Sequence, residues 1–332
     1  MRRRAFLLAV PAIAFAPGAR AQKTGKVYRV GFVLTTSPVF EMQGAEPVHP
    51  AVREFLNAMR RIGYAEGKNL ILERRSAEGK FERFDAIVAE LLRLKPDALI
   101  TISVPLTLAA KKQTTTVPIV FMIAGTGDPV AAGIVPSLSR PGGNITGFVP
   151  DAGPEMVGKR LEILKEAVPG ISRVAFLGLG SEWNSAEGRS AQAAAKALGL
   201  AISFAESGAN DYAAAFEAIR RQRADAILVG GHPAHFANAE LIAEFAARNR
   251  LADMHAYTYS VERGGLMSYG SVGAHWLQAA DYLDRIFKGA KPGDLPVQQP
   301  TKFDLAISQK AARARGLTLS PSLLLRANRV IE

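Results

Sequence analysis

Short hydroxyl side chains cluster at Thr35-Thr36-Ser37 and again across Ser103 to Thr107. Ser and Thr donate to a carboxylate without adding charge, and a nearby helix N-terminus supplies backbone N–H groups of the same polarity. The competing role for these residues is ordinary capping of the following helix. Asp128, directly before Pro129, carries the opposite chemistry. It pairs with a ligand amine or caps the helix that opens at Pro129, and the two roles can coexist. Trp183 offers a face for stacking on an aromatic or apolar solute, or stands as a surface aromatic. His232 and Tyr257 complete the candidate set, Tyr257 as a residue that closes over a ligand or packs the framework. These types bind rather than react. No G-x-S-x-G elbow is present. Gly178-Leu179-Gly180 lacks the full dinucleotide fingerprint and its acidic ribose partner. His232 and His235 stand three apart with no evident third ligand, so they read as half a metal site at most. No metal or cofactor is expected.

These residues sit in loops after strands. Val27 to Leu34 reads as a buried strand, and Val52, Phe55, Leu56 and Met59 then recur at helical spacing up to Gly63. Further strands are expected at Asn69 to Glu73, Asp97 to Ile102, Pro118 to Ile123 and Ile145 to Val149, with helical stripes between them. The plan then restarts, with strands at Arg173 to Leu177, Leu200 to Phe204, Ala226 to Val229 and Met254 to Tyr257 alternating with helices. Leu266 to Tyr269 and Lys302 to Ile307 add strands around one more helix, marked by Trp276, Ala280, Leu283 and Phe287. This alternation predicts an α/β fold of two lobes built on parallel sheets. In such sheets ligands lie beyond the carboxyl ends of the strands. The loop from Val39 to Pro50 exceeds the usual strand–helix connection and is expected to fold over the cleft mouth.

The first residues carry an address. Arg2, Arg3 and Arg4 precede the apolar run Ala5 to Pro17, and Ala19-Arg20-Ala21 forms an A-x-A cleavage pattern before Gln22. This reads as a secretory signal peptide over residues 1–21, cleaved after Ala21, the alternative being a short N-terminal membrane anchor that stays attached; Arg3-Arg4 also fits the twin-arginine route. A periplasmic location follows. The 332-residue chain contains no cysteine, which excludes disulfides, thiol catalysis and iron–sulfur clusters. The formal net charge is +11, but the basic residues are dispersed and four of them lie in the signal, so nucleic acid is not expected as a partner.

Several stretches together resemble the tryptophan/tyrosine-type family of ABC-transporter substrate-binding proteins. They are VPIVFMIAGTGDPVAAGIVPSLSRPGGNITG at Val117 to Gly147, GGLMSYG at Gly264 to Gly270, KGAKPGDLPVQQPTKF at Lys288 to Phe303, and KRLEILKEAVP at Lys159 to Pro169. The resemblance spans essentially the whole chain after the signal. It implies a type I periplasmic binding fold: two Rossmann-like lobes joined by three crossovers, near Phe148, near Val261 to Gly265 and near Gln298 to Lys302. The first lobe would then comprise residues 27–149 and 265–297, and the second residues 150–264 and 298–332. It also implies a monomer, not an enzyme, that closes on a small organic solute such as an amino acid, an aromatic compound or a carboxylate and delivers it to an ABC permease in the inner membrane. Many relatives carry a Thr-Pro pair where this chain has Val104-Pro105, so Ser103, Thr107 and the N–H of Leu106 stand in for the missing hydroxyl. That departure, with the long loop after Thr35, implies a solute different from a plain aromatic amino acid. Two alternatives remain: a periplasmic sensor of the same fold that signals to a receptor, and an α/β hydrolytic enzyme.

Overall fold

The structure, a computed structural model, describes residues 25–123, 128–149, 153–271 and 275–332. The proposed signal peptide lies outside the described residues. The first sheet contains β1 (Tyr28–Leu34), β2 (Leu70–Ser76), β3 (Ala98–Thr101), β4 (Ile119–Met122) and β5 (Ile145–Phe148), in the order β2-β1-β3-β4-β5 with every pairing parallel. Its middle strands read ALIT and IVFM and are buried on both faces, as a parallel sheet covered by helices requires. The covering helices are α1 (Pro50–Arg61), α2 (Phe84–Arg93) and α3 (Val104–Gln113). Helix α1 turns Val52, Phe55, Leu56 and Met59 onto the sheet, one stripe at helical spacing.

After β5 the chain enters the second lobe through α4 (Glu155–Ala167). Its strands are β6 (Arg173–Gly178), β7 (Ala201–Glu206), β8 (Ala226–Val229), β9 (Ala252–His255), β10 (Met267–Ser271), β11 (Phe303–Ser308) and β12 (Arg329–Ile331). Between them run α5 (Gly180–Trp183), α6 (Ala186–Ala197), α7 (Ala213–Arg221), α8 (Pro233–Ala237), α9 (Ala239–Arg248) and α10 (Thr258–Glu262). The strand order is β12-β11-β10-β9-β8-β6-β7. All neighbours run parallel except β10 and β11, which are antiparallel, so this sheet is mixed rather than purely parallel.

The lobes are discontinuous, with one boundary displaced from the sequence expectation. Residues 265–271 do not join the first lobe: Met267 pairs with Met254 on one side and Ile307 on the other, deep in the second sheet. The chain returns to the first lobe only after Ser271, in α11 (His275–Phe287). That helix packs Ala279, Ala280, Tyr282 and Leu283 into the same core as α1 and β1. Residue pattern identifies a strand here, but its hydrogen-bonding neighbours decide which sheet it joins. Gln298 then bridges Phe148 at the edge of the first sheet before β11 re-enters the second. Helices α12 (Gln309–Arg315) and α13 (Pro321–Arg326) finish that lobe. No described helix is long and apolar enough to cross a membrane.

Candidate functional site

The carboxyl ends of the two sheets face a cavity of about 520 Å³, within the range of small-molecule sites. From the first lobe it is lined by Leu34, Thr35, Thr36 and Ser37 after β1, by His49 to Ala51, Arg53 and Glu54 at the start of α1, and by Trp276 on α11. From the second lobe come Pro233 and Phe236 on α8, Tyr257 to Tyr259, Glu262 and Arg263 around α10, and Asp304 and Arg329 at the ends of β11 and β12.

The walls are aromatic. Trp276 stacks on Phe32 with ring centres 5.4 Å apart and lies edge-on to Phe55. Across the cavity Phe236 stacks on Tyr259 at 4.4 Å and meets Tyr257 edge-on at 5.8 Å. The Tyr257 hydroxyl donates to the Gly231 carbonyl at 2.6 Å, which ties α10 to the loop before α8. The charges are mixed. Glu262 pairs with Arg329 at 2.6 Å, and Arg263 lies over the Tyr259 ring. Burial pushes the Glu54 carboxyl up, Arg53 opposes this, and Glu262 adds to it. His49 is held neutral: burial first, then Arg53, lowers its imidazole to about 4. The lobes also touch outside the cavity, where the Asn210 amide donates to the Glu78 carbonyl at 3.2 Å and Phe81 packs on His232.

Of the residues singled out from sequence, Thr35, Thr36, Ser37 and Tyr257 meet in this cavity. The others have structural partners. Ser103 caps α3, its hydroxyl accepting from the Leu106 N–H. Thr107 donates to the Ser103 carbonyl at 2.8 Å and exchanges a hydrogen bond with Thr101. Leu106 is core. The first turn of α3 therefore satisfies its own hydroxyls, and Val104 packs against the same core. The expectation that Val104 changes the solute loses its basis, because none of residues 103 to 107 lines the cavity. Asp128 is exposed and caps the turn at Pro129, accepting from the N–H groups of Val130 and Ala131; Ala124 to Gly127, just before it, lie outside the described residues.

Trp183 stacks on Phe204 at 5.1 Å with the rings nearly parallel, and packs against Phe176, so it covers the second sheet away from the cavity. His232 caps α8 through Nδ1, which accepts from Ala234 N–H at 3.1 Å, and burial lowers its pKa to about 4 against the pull of Glu182. His235 is bound by Glu182 and by the Tyr212 hydroxyl, each at 2.9 Å. Glu182 is buried. Burial raises its pKa, but His235, His232 and the Leu179 N–H outweigh this and hold it below the usual carboxylate value. The two histidines thus serve a hydrogen-bonded brace, and no group of three or more metal-binding side chains converges among the described residues. Asn144 and Thr146 hold backbone beside the crossover after β5: Asn144 donates to the Thr114 and Val117 carbonyls, and Thr146 to that of Leu295.

Sequence reasoning passed over His49, Phe236, Trp276, Glu262, Asp304 and Arg329. Trp276 and Phe236 sit at helical spacing, which looks the same for core and cleft. Asp304 and Arg329 reach the cavity only through the order of strands in the second sheet. His49 alone had a local signal, a polar residue before the Pro that opens α1.

Residues 46–331 match the family of ABC transporter substrate binding proteins. A tyrosine-binding protein of Clostridioides difficile is 25% identical over 277 residues, 80% of this chain and 77% of its own length. Among solved structures, a conserved domain protein of Vibrio cholerae is 27% identical, with a TM-score of 0.78 over 92% of this chain and 100% of that one. The ABC domain of Streptococcus pneumoniae in complex with L-Trp is 22% identical, with a TM-score of 0.76 over the same shares. By its match over residues 46–331, the chain belongs to the ABC transporter substrate-binding protein family.

Proposed function

We propose that this protein captures an aromatic α-amino acid, or a close aromatic carboxylate, between its lobes and presents the closed form to an ABC permease. The cavity carries this reading. Its hydroxyl loop at Thr36 and Ser37 and the α1 N-terminus suit a carboxylate, while Trp276, Phe236 and Tyr259 enclose an aromatic ring. Glu54 and Asp304, on opposite lobes, suit an ammonium group. Contacts from the second lobe form only on closure, so the solute shifts the population to the closed state. The protein acts as a monomer, exported with cleavage after Ala21, and releases its solute unaltered. The relatives' bound tyrosine and L-Trp support the choice of solute.

The test is a thermal-shift and calorimetric screen of the mature protein with L-tryptophan, L-tyrosine, L-phenylalanine, benzoate and non-aromatic amino acids. A solute at 100-fold over its Kd adds about 2.7 kcal/mol of stability. The reading is sunk if no aromatic solute binds, or if a non-aromatic solute binds better than all of them.

A further inference from the structure

Two side chains that line the cavity are buried with a polar atom unsatisfied. Thr35 is 1% exposed and His49 6%. Thr35 Oγ1 and His49 Nδ1 have no hydrogen-bond partner among the described residues, and both residues line the cavity. Folded proteins rarely leave buried donors or acceptors unpaired, because each forfeits its hydration without compensation.

His49 is held in this position by its surroundings. The loop before it folds back, with His49 N–H donating to the Glu41 carbonyl at 2.8 Å. The Arg53 guanidinium binds the Pro47 and Val48 carbonyls, and that of Arg60 binds Ala45. The imidazole then packs on Phe236 of the opposite lobe at 5.9 Å, while its backbone opens α1. At that opening the N–H groups of Ala51 and Val52 have no acceptor within the helix.

We propose that His49, with Thr35, is a specificity-determining pair that reads the carboxylate of the solute by hydrogen-bond donation. This inference rests on the proposed capture of an aromatic carboxylate. The neutral imidazole donates through Nδ1–H, the Thr35 hydroxyl donates from the loop after β1, and the first amides of α1 complete the cradle. Its second consequence is coupling. His49 belongs to the first lobe but leans on Phe236 of the second, so a carboxylate that orders the imidazole also favours closure.

The test compares affinities by calorimetry for L-tryptophan and L-tyrosine and for their decarboxylated amines, tryptamine and tyramine. The proteins are the unaltered one, His49→Leu, His49→Asn and Thr35→Val. Leu keeps apolar contact with Phe236; Asn keeps a polar atom near the Nδ1 position. The amino acids should bind His49→Leu and Thr35→Val about tenfold more weakly, and His49→Asn within about threefold of the unaltered protein. The amines should bind all four proteins alike. Melting temperatures without solute should stay level or rise in His49→Leu and Thr35→Val, because a buried unsatisfied group is removed. Full affinity of the amino acids for His49→Leu overturns the inference and leaves the proposed solute standing. An equal loss for amines and amino acids also overturns it, since the effect would then be general packing. If the unaltered protein binds neither amino acid, the proposed solute falls, and this inference with it.

Discussion

The chain has two tryptophans, and the structure gives them opposite jobs. Trp276 is half-buried on α11, lines the cavity and stacks on Phe32, whereas Trp183 is half-buried against Phe204 and Phe176. Trp183→Ala should therefore cost stability and spare binding. Truncating a fully buried aromatic costs about 3–5 kcal/mol, and partial exposure of Trp183 brings this to about 2–3 kcal/mol. For a chain of this size each kcal/mol lowers Tm by about 2 °C, so a fall of about 5 °C is expected. Trp276→Leu keeps apolar contact with Phe32 but removes the ring offered to a solute. Losing one aromatic stack is worth about 0.5–1.5 kcal/mol beyond the area lost, so affinity should fall about tenfold. The assay is tryptophan emission during titration with L-phenylalanine, which does not emit in that range. Trp183→Phe leaves Trp276 as the single reporter and should keep the response, while Trp276→Phe should lose it. The reasoning is refuted if the response follows Trp183, or if Trp183→Ala weakens binding as much as Trp276→Leu does.

Three further outcomes follow from particular contacts. His49 and His232 have folded pKa values of about 4 against 6.5 unfolded, so between these values the unfolded chain binds more protons and stability rises with pH. Each contributes about 3 kcal/mol that is lost as pH falls from 6.5 to 4, and urea titrations over that window should show a shallower slope for His49→Leu. Asp128→Ala removes a cap to the Val130 and Ala131 N–H groups and should cost about 1 kcal/mol in denaturant melts, with solute affinity unchanged. A loss of affinity would instead place Asp128 on the solute's amine. Gly147→Ala places a Cβ 2.1 Å from the Phe121 carbonyl oxygen and 2.6 Å from its ring inside the first sheet. Neither can yield without moving β4, so the variant should be among the least stable single changes, read as a lowered Tm or loss of soluble protein.

What residue order dictated here is local. Four-residue apolar runs such as AILV at Ala226 to Val229 suit only a strand covered on both faces, and the stripe on α1 suits only a helix with one buried side. Alternation of the two implies parallel sheets and places sites at their carboxyl ends, which is how Thr36, Ser37 and Tyr257 were found. Tertiary structure decided which loops meet. A hydroxyl before a helix serves as a cap or faces a ligand depending on the direction of its side chain, and at Ser103 and Thr107 that direction is inward. An aromatic residue reads the same at Trp183 and Trp276, and only packing against Phe204 or against the cavity separates them. Asp304 and Arg329 reach the site because β10, β11 and β12 assemble in the second sheet, a matter of hydrogen-bond pairing between distant segments such as Met267 with Ile307 and Ala306 with Arg329. Periodicity reports what each segment buries; only the folded chain determines what it is buried against.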